Sequence, residues 1–343
     1  MSTYMKYQYS ERVLILILAL ISTVYIGLNL IQPNLSVRIA QEDKILSGNM
    51  EPPYQYRVIE PLLGKGLQTL LIPVLPEASA RHLFAYMIMT FFVLCNVFSI
   101  FHWLLSRLSF PPLAALIGVI LLQLVIPLSV TGYYMEGDFI TLLFYLLGLS
   151  LMLQGRDLLL PVIIGAAVLN RDQIIFLLVF YWAYRLGHPK GITKRALLVT
   201  ALSLGMFLIS YLGLRYYFGF KTSQYTIQAH IANNTDLSHV LWILWLWSAE
   251  VLGFTMLCIL AFRQSARFFR LSFLSLGMYI ILFFLNGNLW EMAKFLPAFL
   301  VLIPMSLQVL TGHRIDESVL YKSASPSKRS MDGAGRQEVS HSK

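Results

Sequence analysis

From Val13 to Leu310 the chain is a succession of long apolar runs separated by short polar loops. A helix of about 20 apolar residues crosses a hydrocarbon core roughly 30 Å thick. Inside that core every backbone N–H and C=O needs a partner within the protein, which restricts spanning structures to helices and closed barrels. Only 13% of the 343 residues are charged and 57% are hydrophobic, whereas soluble domains carry about 25% charged residues. The expected fold is all-α: a polytopic integral membrane protein that contacts the lipid bilayer, with one membrane domain over residues 13–310. Residues 1–12 precede it, and a Ser-, Lys-, Arg- and Gly-rich tail over 311–343 is expected to be disordered.

The formal net charge of +9 does not point to nucleic acid. The basic residues gather in short loops and in the tail, as the positive-inside rule expects. Two cysteines, Cys95 and Cys258, both fall in apolar segments, so no disulfide framework and no metal-type cysteine cluster follows. The first apolar run, Val13–Leu30, lacks a small-residue cleavage site after it and reads as a retained anchor.

Segment order follows from the runs and their flanking charges. After Val13–Leu30 comes a large external loop over 32–82, with an amphipathic stretch from Val58 to Leu75 that suits short helices at the membrane surface. Apolar segments follow at about Leu83–Leu105, Leu113–Thr131 and Asp138–Gln154. The run Leu158–Arg185 is interrupted by Leu169-Asn170-Arg171-Asp172. It fits one tilted helix with polar residues at its middle, or two short helices meeting at that sequence. Arg156 at one end and Arg185, Lys190, Lys194 and Arg195 at the other mark both ends as cytoplasmic, which favours a hairpin with Asn170-Arg171-Asp172 at its external tip. Segments at about Ala196–Tyr217, Val240–Phe262, Leu271–Leu285 and Leu296–Leu310 complete about ten, with both termini cytoplasmic.

This topology collects the polar clusters on one face. They are Glu42-Asp43 and Tyr54 to Arg57 with Glu60; Tyr133-Tyr134 with Glu136 and Asp138; the Asn170-Arg171-Asp172 tip; the loop Lys221–Asp236 with His230; and Trp290-Glu291 with Lys294. Buried charges in a membrane are expensive and mark functional sites by default. Arg57 fits either a phosphate clamp or a snorkelling arginine at the interface. Asp138 opens a helix, where a carboxylate caps and favours the dipole. Glu291 is a candidate partner for Arg171. His230 reads as a solvated loop histidine, and Glu250 deep in an apolar segment has no evident role. No phosphate-cradling glycine loop, zinc signature or nucleophile elbow is present.

The order of these features resembles the GT-C class of integral-membrane glycosyltransferases and their less characterised bacterial relatives. The resemblance is carried by Ala40 to Gly48 followed by Tyr54-Gln55-Tyr56-Arg57-Val58-Ile59-Glu60-Pro61 in the first loop, by Glu136-Gly137-Asp138, by Leu169-Asn170-Arg171-Asp172, and by Glu291 to Pro297. It implies transfer of a sugar from a polyprenyl-phosphate carrier to a lipid or cell-surface glycan acceptor, at the external face of a bacterial inner or plasma membrane. It further implies a carboxylate base in the first loop, for which Glu42, Asp43 and Glu60 are the candidates. Tyr56, Arg57, Asp138, Asn170, Arg171, Asp172, Glu291 and Lys294 would bind substrate and carrier phosphate. Two departures stand out. The acid that the family places directly after the first helix is missing from Gln32-Pro33-Asn34-Leu35-Ser36, and Lys294 stands where arginine is expected, which loses bidentate phosphate recognition. No protein metal site or cofactor is assigned, with a divalent cation left open. The alternative expectation is a non-enzymatic carrier, flippase, transporter or assembly subunit.

Overall fold

The computed structural model describes residues 3–133 and 135–321, with side chains described from Ser10 onward. All regular elements among the described residues are helical. Among the described residues seven helices are long and apolar enough to cross a membrane, and we read the chain as an integral membrane protein on that ground.

The first of the seven runs from Ser10 to Leu46 without a loop. It comprises α1 (Thr3–Ile26), a wide π turn over Gly27–Ile31, a 3-10 turn over Gln32–Asn34, and α2 (Leu35–Leu46). The expected first loop therefore begins at Ser47, not at Gln32. Pro33 cannot donate a backbone bond to the carbonyl four residues back, and its ring crowds that carbonyl. The widened turn before it absorbs the mismatch, so the helix continues. Arg38 and Glu42, which looked like loop residues, are buried side chains on α2.

The amphipathic stretch forms α3 (Ile59–Leu71), which leaves Leu62, Leu63 and Leu70 exposed and packs Gly64 against the Tyr86 ring. Then come α4 (Ala78–Arg107), α5 (Pro112–Ser129) and α6 (Gly137–Leu153). The Leu158–Arg185 run is broken, as a hairpin requires. α7 (Leu160–Val168) stops before the polar tip, a 3-10 turn spans Asp172–Phe176, and α8 (Leu177–Gly187) follows. The two arms return to the same end, because the Tyr181 hydroxyl of α8 donates to Asp157 at the base of α7 at 3.2 Å. Neither arm alone meets the ~20-residue requirement. Both are tolerated because their inner faces are buried, with Leu160, Ile164, Leu177 and Tyr181 inaccessible.

The remaining elements are α9 (Lys194–Phe218), a short α10 (Ile227–Thr235), α11 (Leu237–Trp247), a π turn, α12 (Gly253–Ala261), α13 (Arg267–Asn286), α14 (Leu296–Thr311) and α15 (Glu317–Tyr321). α14 is the axis of the bundle: 83% of its most apolar window is buried, against 11% for α9 and 28% for α13. Glu250 lies in the π turn between α11 and α12, where it accepts a hydrogen bond from Ser129 of α5 at 2.9 Å. The stretch after Thr311, expected as a loose tail, begins with packed residues. Ile315 and Leu320 are buried, and the Tyr321 ring lies 5.3 Å from that of Tyr184. Residues 322–343 lie outside the described residues.

Candidate functional site

Five chain segments meet at one end of the bundle, and backbone chemistry fixes two of them together. The amides of Val58 and Ile59 both donate to the Leu169 carbonyl, at 2.8 and 3.2 Å. The residue after helix α7 thus holds the first loop, and Arg57 is brought to the hairpin tip. Asn170 secures the tip from the other side. Its buried amide donates to the Gly137 carbonyl at 2.7 Å and to Thr141 Oγ1 at 2.9 Å. Gly137 also lets Glu60 come close, since a Cβ there would stand 2.7 Å from a Glu60 carboxylate oxygen.

Arg171 and Asp138 form a buried ion pair, Nε to Oδ1 at 2.8 Å, with side-chain exposures of 3% and 0%. This differs from both expectations made for them. Asp138 is the second residue of α6 and not its N-cap, which is Glu136, and Arg171 is paired with it and not with Glu291. Glu291 instead pairs with Lys294 three residues on. The 3-10 turn Met292–Phe295 places the two on one side, because side chains three apart eclipse in that helix.

These groups border a cavity of about 720 Å³. Of the residues the sequence singled out, Tyr56, Arg57, Arg171, Asp172, Glu291 and Lys294 line it. Asn170 and Asp138 stand behind its wall and hold it. The loop after α9 adds Lys221, Ser223 and Tyr225, while Arg215 and Tyr211 come from α9 and His230 from α10. Five cationic side chains (Arg57, Arg171, Arg215, Lys221, Lys294) face two carboxylates (Asp172, Glu291), a net charge of 5 − 2 = +3 with His230 neutral.

The cations differ in how they are held. Arg57 lies over the Tyr54 ring at 4.8 Å. Among the described residues no carboxylate lies within 4.0 Å of it. Burial, reinforced by the charge of Arg171, pulls its guanidinium below the ordinary arginine value. Arg57 is a cation short of an anion. Arg215 stacks between the rings of Tyr56 and Tyr211, 4.3 and 3.3 Å from their centroids. Lys221 closes one side: its ammonium donates to the carbonyl of Gly48, to that of Met50 at 3.1 Å and to Gln55 Oε1 at 3.4 Å. Tyr56 adds a bond from its hydroxyl to the Gly219 carbonyl at 2.9 Å. The loop after α9 is thus tied across the first loop.

The three first-loop acids are not in this cavity. Asp43 is largely exposed, 3.9 Å from Lys65. Glu42 accepts from Tyr86 at 2.9 Å and from Gln68 at 2.9 and 3.0 Å. Glu60 lies 3.9 Å from Arg38, which also pairs with Glu136. Burial raises the Glu60 carboxyl above its ordinary value against the opposing charges of Arg38 and Arg171. Glu42 and Glu60 border a side cavity of about 40 Å³, and Tyr54 and Arg57 form the wall between it and the large one. Among the described residues no group of three or more His, Cys, Asp or Glu is placed to hold a metal ion.

Sequence reasoning missed Arg215, Lys221 and His230 as site residues. Arg215 sits at the end of a lipid-facing helix and resembles any flanking arginine. Lys221 lies in the loop after α9 and His230 on the short α10 that follows it, and neither placement has a local signal in the sequence. No family model, curated protein or solved structure matches the chain.

Proposed function

We propose that the protein is a glycosyltransferase that moves a sugar from a polyprenyl-phosphate carrier to a lipid or cell-surface glycan acceptor. The observation that carries this reading is Arg57, a half-buried cation without a carboxylate within 4.0 Å, in a cavity of net charge +3 at one end of a bundle of apolar helices. Such a site wants an anion, and guanidinium groups bind phosphate oxygens in bidentate fashion. The apolar part of the ligand has a path as well. Phe207 and Tyr211 of α9 and Leu282 and Phe283 of α13 line the same cavity, and both helices are mostly exposed along their length. A polyprenyl chain can leave the headgroup between them and enter the bilayer.

In this reading the α7–α8 hairpin and the seven longer helices, with α6, make about ten membrane segments. The cavity faces the external side and both termini face the cytoplasm, a topology supported by the basic loops Arg185–Arg195 and Arg263–Arg270. Arg57 and Arg171 hold the carrier phosphate and take up the charge that develops on it as the sugar leaves. Lys294 adds a point charge, and the Tyr54 and Tyr225 rings offer faces to the sugar. The massing of charge at one end supports an enzyme at the membrane surface over a transport path through the bilayer.

The test is transfer by the purified protein from polyprenyl-phosphate-linked sugars to lipid acceptors, with Arg57→Ala and Arg171→Ala compared with the unaltered chain. Both variants should lose transfer. Wild-type transfer by both would remove the assignment.

A further inference from the structure

Inverting displacement at the sugar needs a group in the cavity to take the acceptor's proton. Glu42 and Glu60 lie behind Tyr54 and Arg57, and Asp43 is outside the cavity on the exposed side of α2. Glu291 is tied to Lys294 and Asn288, and Asp172 is exposed to solvent. Among the buried groups of the cavity, the one left with an available lone pair is the imidazole of His230.

We infer that His230 is the catalytic base, poised by a hydrogen-bonded chain His230–Asn288–Glu291–Lys294 that fixes its tautomer. His230 is buried on α10, and its ring lines the cavity. Its Nδ1 lies 3.2 Å from Asn288 Oδ1. Asn288 in turn places Nδ2 2.7 Å from Glu291 Oε1. The direction of each bond follows from the chemistry at the far end. Glu291 is ion-paired with Lys294, so it is ionised and only accepts. The amide must present its NH₂ to Glu291, which turns Oδ1 to the imidazole. A carbonyl oxygen only accepts, so His230 Nδ1 carries the hydrogen. In the neutral ring Nε2 then holds the lone pair.

The position is braced. Tyr225 stacks on the His230 ring at 6.0 Å. Asn234, one turn along α10, donates to the carbonyls of Phe284 and Gly287 at 3.0 and 2.8 Å and accepts from the Leu289 amide at 2.9 Å. These bonds tie α10 to the same loop that carries Asn288.

The step balances without a co-reactant. The acceptor hydroxyl gives its proton to His230 Nε2 while its oxygen forms a bond to the anomeric carbon. The bond from that carbon to the carrier phosphate breaks, and its electron pair leaves on the phosphate oxygen held by Arg57 and Arg171. The imidazolium that results shares its Nδ1 hydrogen with an amide backed by a carboxylate.

This inference rests on the transferase reading, and one experiment separates the two. Transfer is measured in detergent or nanodiscs for the unaltered chain, His230→Ala, His230→Gln and Asn288→Leu, alongside binding of polyprenyl phosphate. The histidine variants should bind the lipid within twofold of wild type and lose turnover by about 100-fold or more, the range of a general base. Millimolar imidazole should restore part of the turnover of His230→Ala and leave His230→Gln unchanged, since only alanine leaves room for it. Asn288→Leu should lower turnover with lipid binding retained. Turnover within threefold of wild type in either histidine variant overturns the inference and leaves the transferase reading standing. Failure of the unaltered chain to transfer any lipid-linked sugar, with lipid binding intact, overturns both.

Discussion

Replacing Asp138 by Asn leaves Arg171 buried with its charge and removes the carboxylate 2.8 Å away. At an effective dielectric of about 20, two unit charges at that separation attract by roughly 6 kcal/mol. Taking each ion out of water costs several kcal/mol, so the intact pair contributes little net. Removal of one partner is different, because the desolvation of the other stays uncompensated. That loss is about 3–5 kcal/mol for a buried pair, or roughly 10²- to 10³·⁵-fold in the folding equilibrium. Asn keeps the shape and one carbonyl acceptor, which places the expected value at the lower end. The assay is reversible unfolding in mixed micelles of SDS and a mild detergent, on wild type, Asp138→Asn, Arg171→Gln and the double variant. The two single changes should each cost about 3 kcal/mol, and the double variant should cost less than their sum. Costs below about 1 kcal/mol for Asp138→Asn, or simple additivity, would refute the claim that this pair holds the hairpin tip.

Other outcomes follow from the same contacts. Arg57→Gln should leave stability near wild type, because no carboxylate in the described structure depends on it. A charged hydrogen bond is worth about 1.5–3 kcal/mol, so kcat/KM for lipid-linked donor should fall about 10- to 150-fold, read in the transfer assay. Lys221→Ala removes the ammonium bonds to Gly48, Met50 and Gln55. Limited proteolysis should then cut between residues 219 and 226 faster than in wild type. Glu291 is held below its ordinary value: burial opposes its charge, but Lys294 and the bond from Asn288 outweigh that. A depressed carboxylate stabilises the fold fully above its unfolded value near 4.5. That stability is lost as pH falls through the lower folded value. Melting temperature measured from pH 6 down to pH 3 should fall less steeply in Glu291→Gln than in wild type.

The helical membrane class was legible because apolar runs of spanning length leave few alternatives. The hairpin was legible for a second reason: basic residues at both ends of Leu158–Arg185 put its polar centre on the far side. Tyr56, Arg57, Arg171, Asp172, Glu291 and Lys294 were found together because each lies beside an apolar segment end on one face. Pairings were not legible. Whether Arg171 meets Asp138 or Glu291 depends on the rotation of α6 and α14 about their axes, and short motifs carry no such information. The first helix was underestimated because Gln32-Pro33-Asn34 reads as a stop, while a π turn lets the backbone pass through it. His230 was dismissed as a loop histidine. Its burial comes from α10 folding onto the end of α13 through Asn234, in contacts between residues 50 and 53 positions apart.

In the proposed function the large cavity takes a phosphate carried on a polyprenyl chain. This is tested most directly by equilibrium binding of polyprenyl phosphate and of the uncharged polyprenol to the purified protein, with Arg57→Gln alongside. The phosphate lipid should bind at least tenfold more tightly than the alcohol, and Arg57→Gln should remove most of that difference. Equal affinity for the two lipids, or a preference for the phosphate that survives in Arg57→Gln, would contradict this reading.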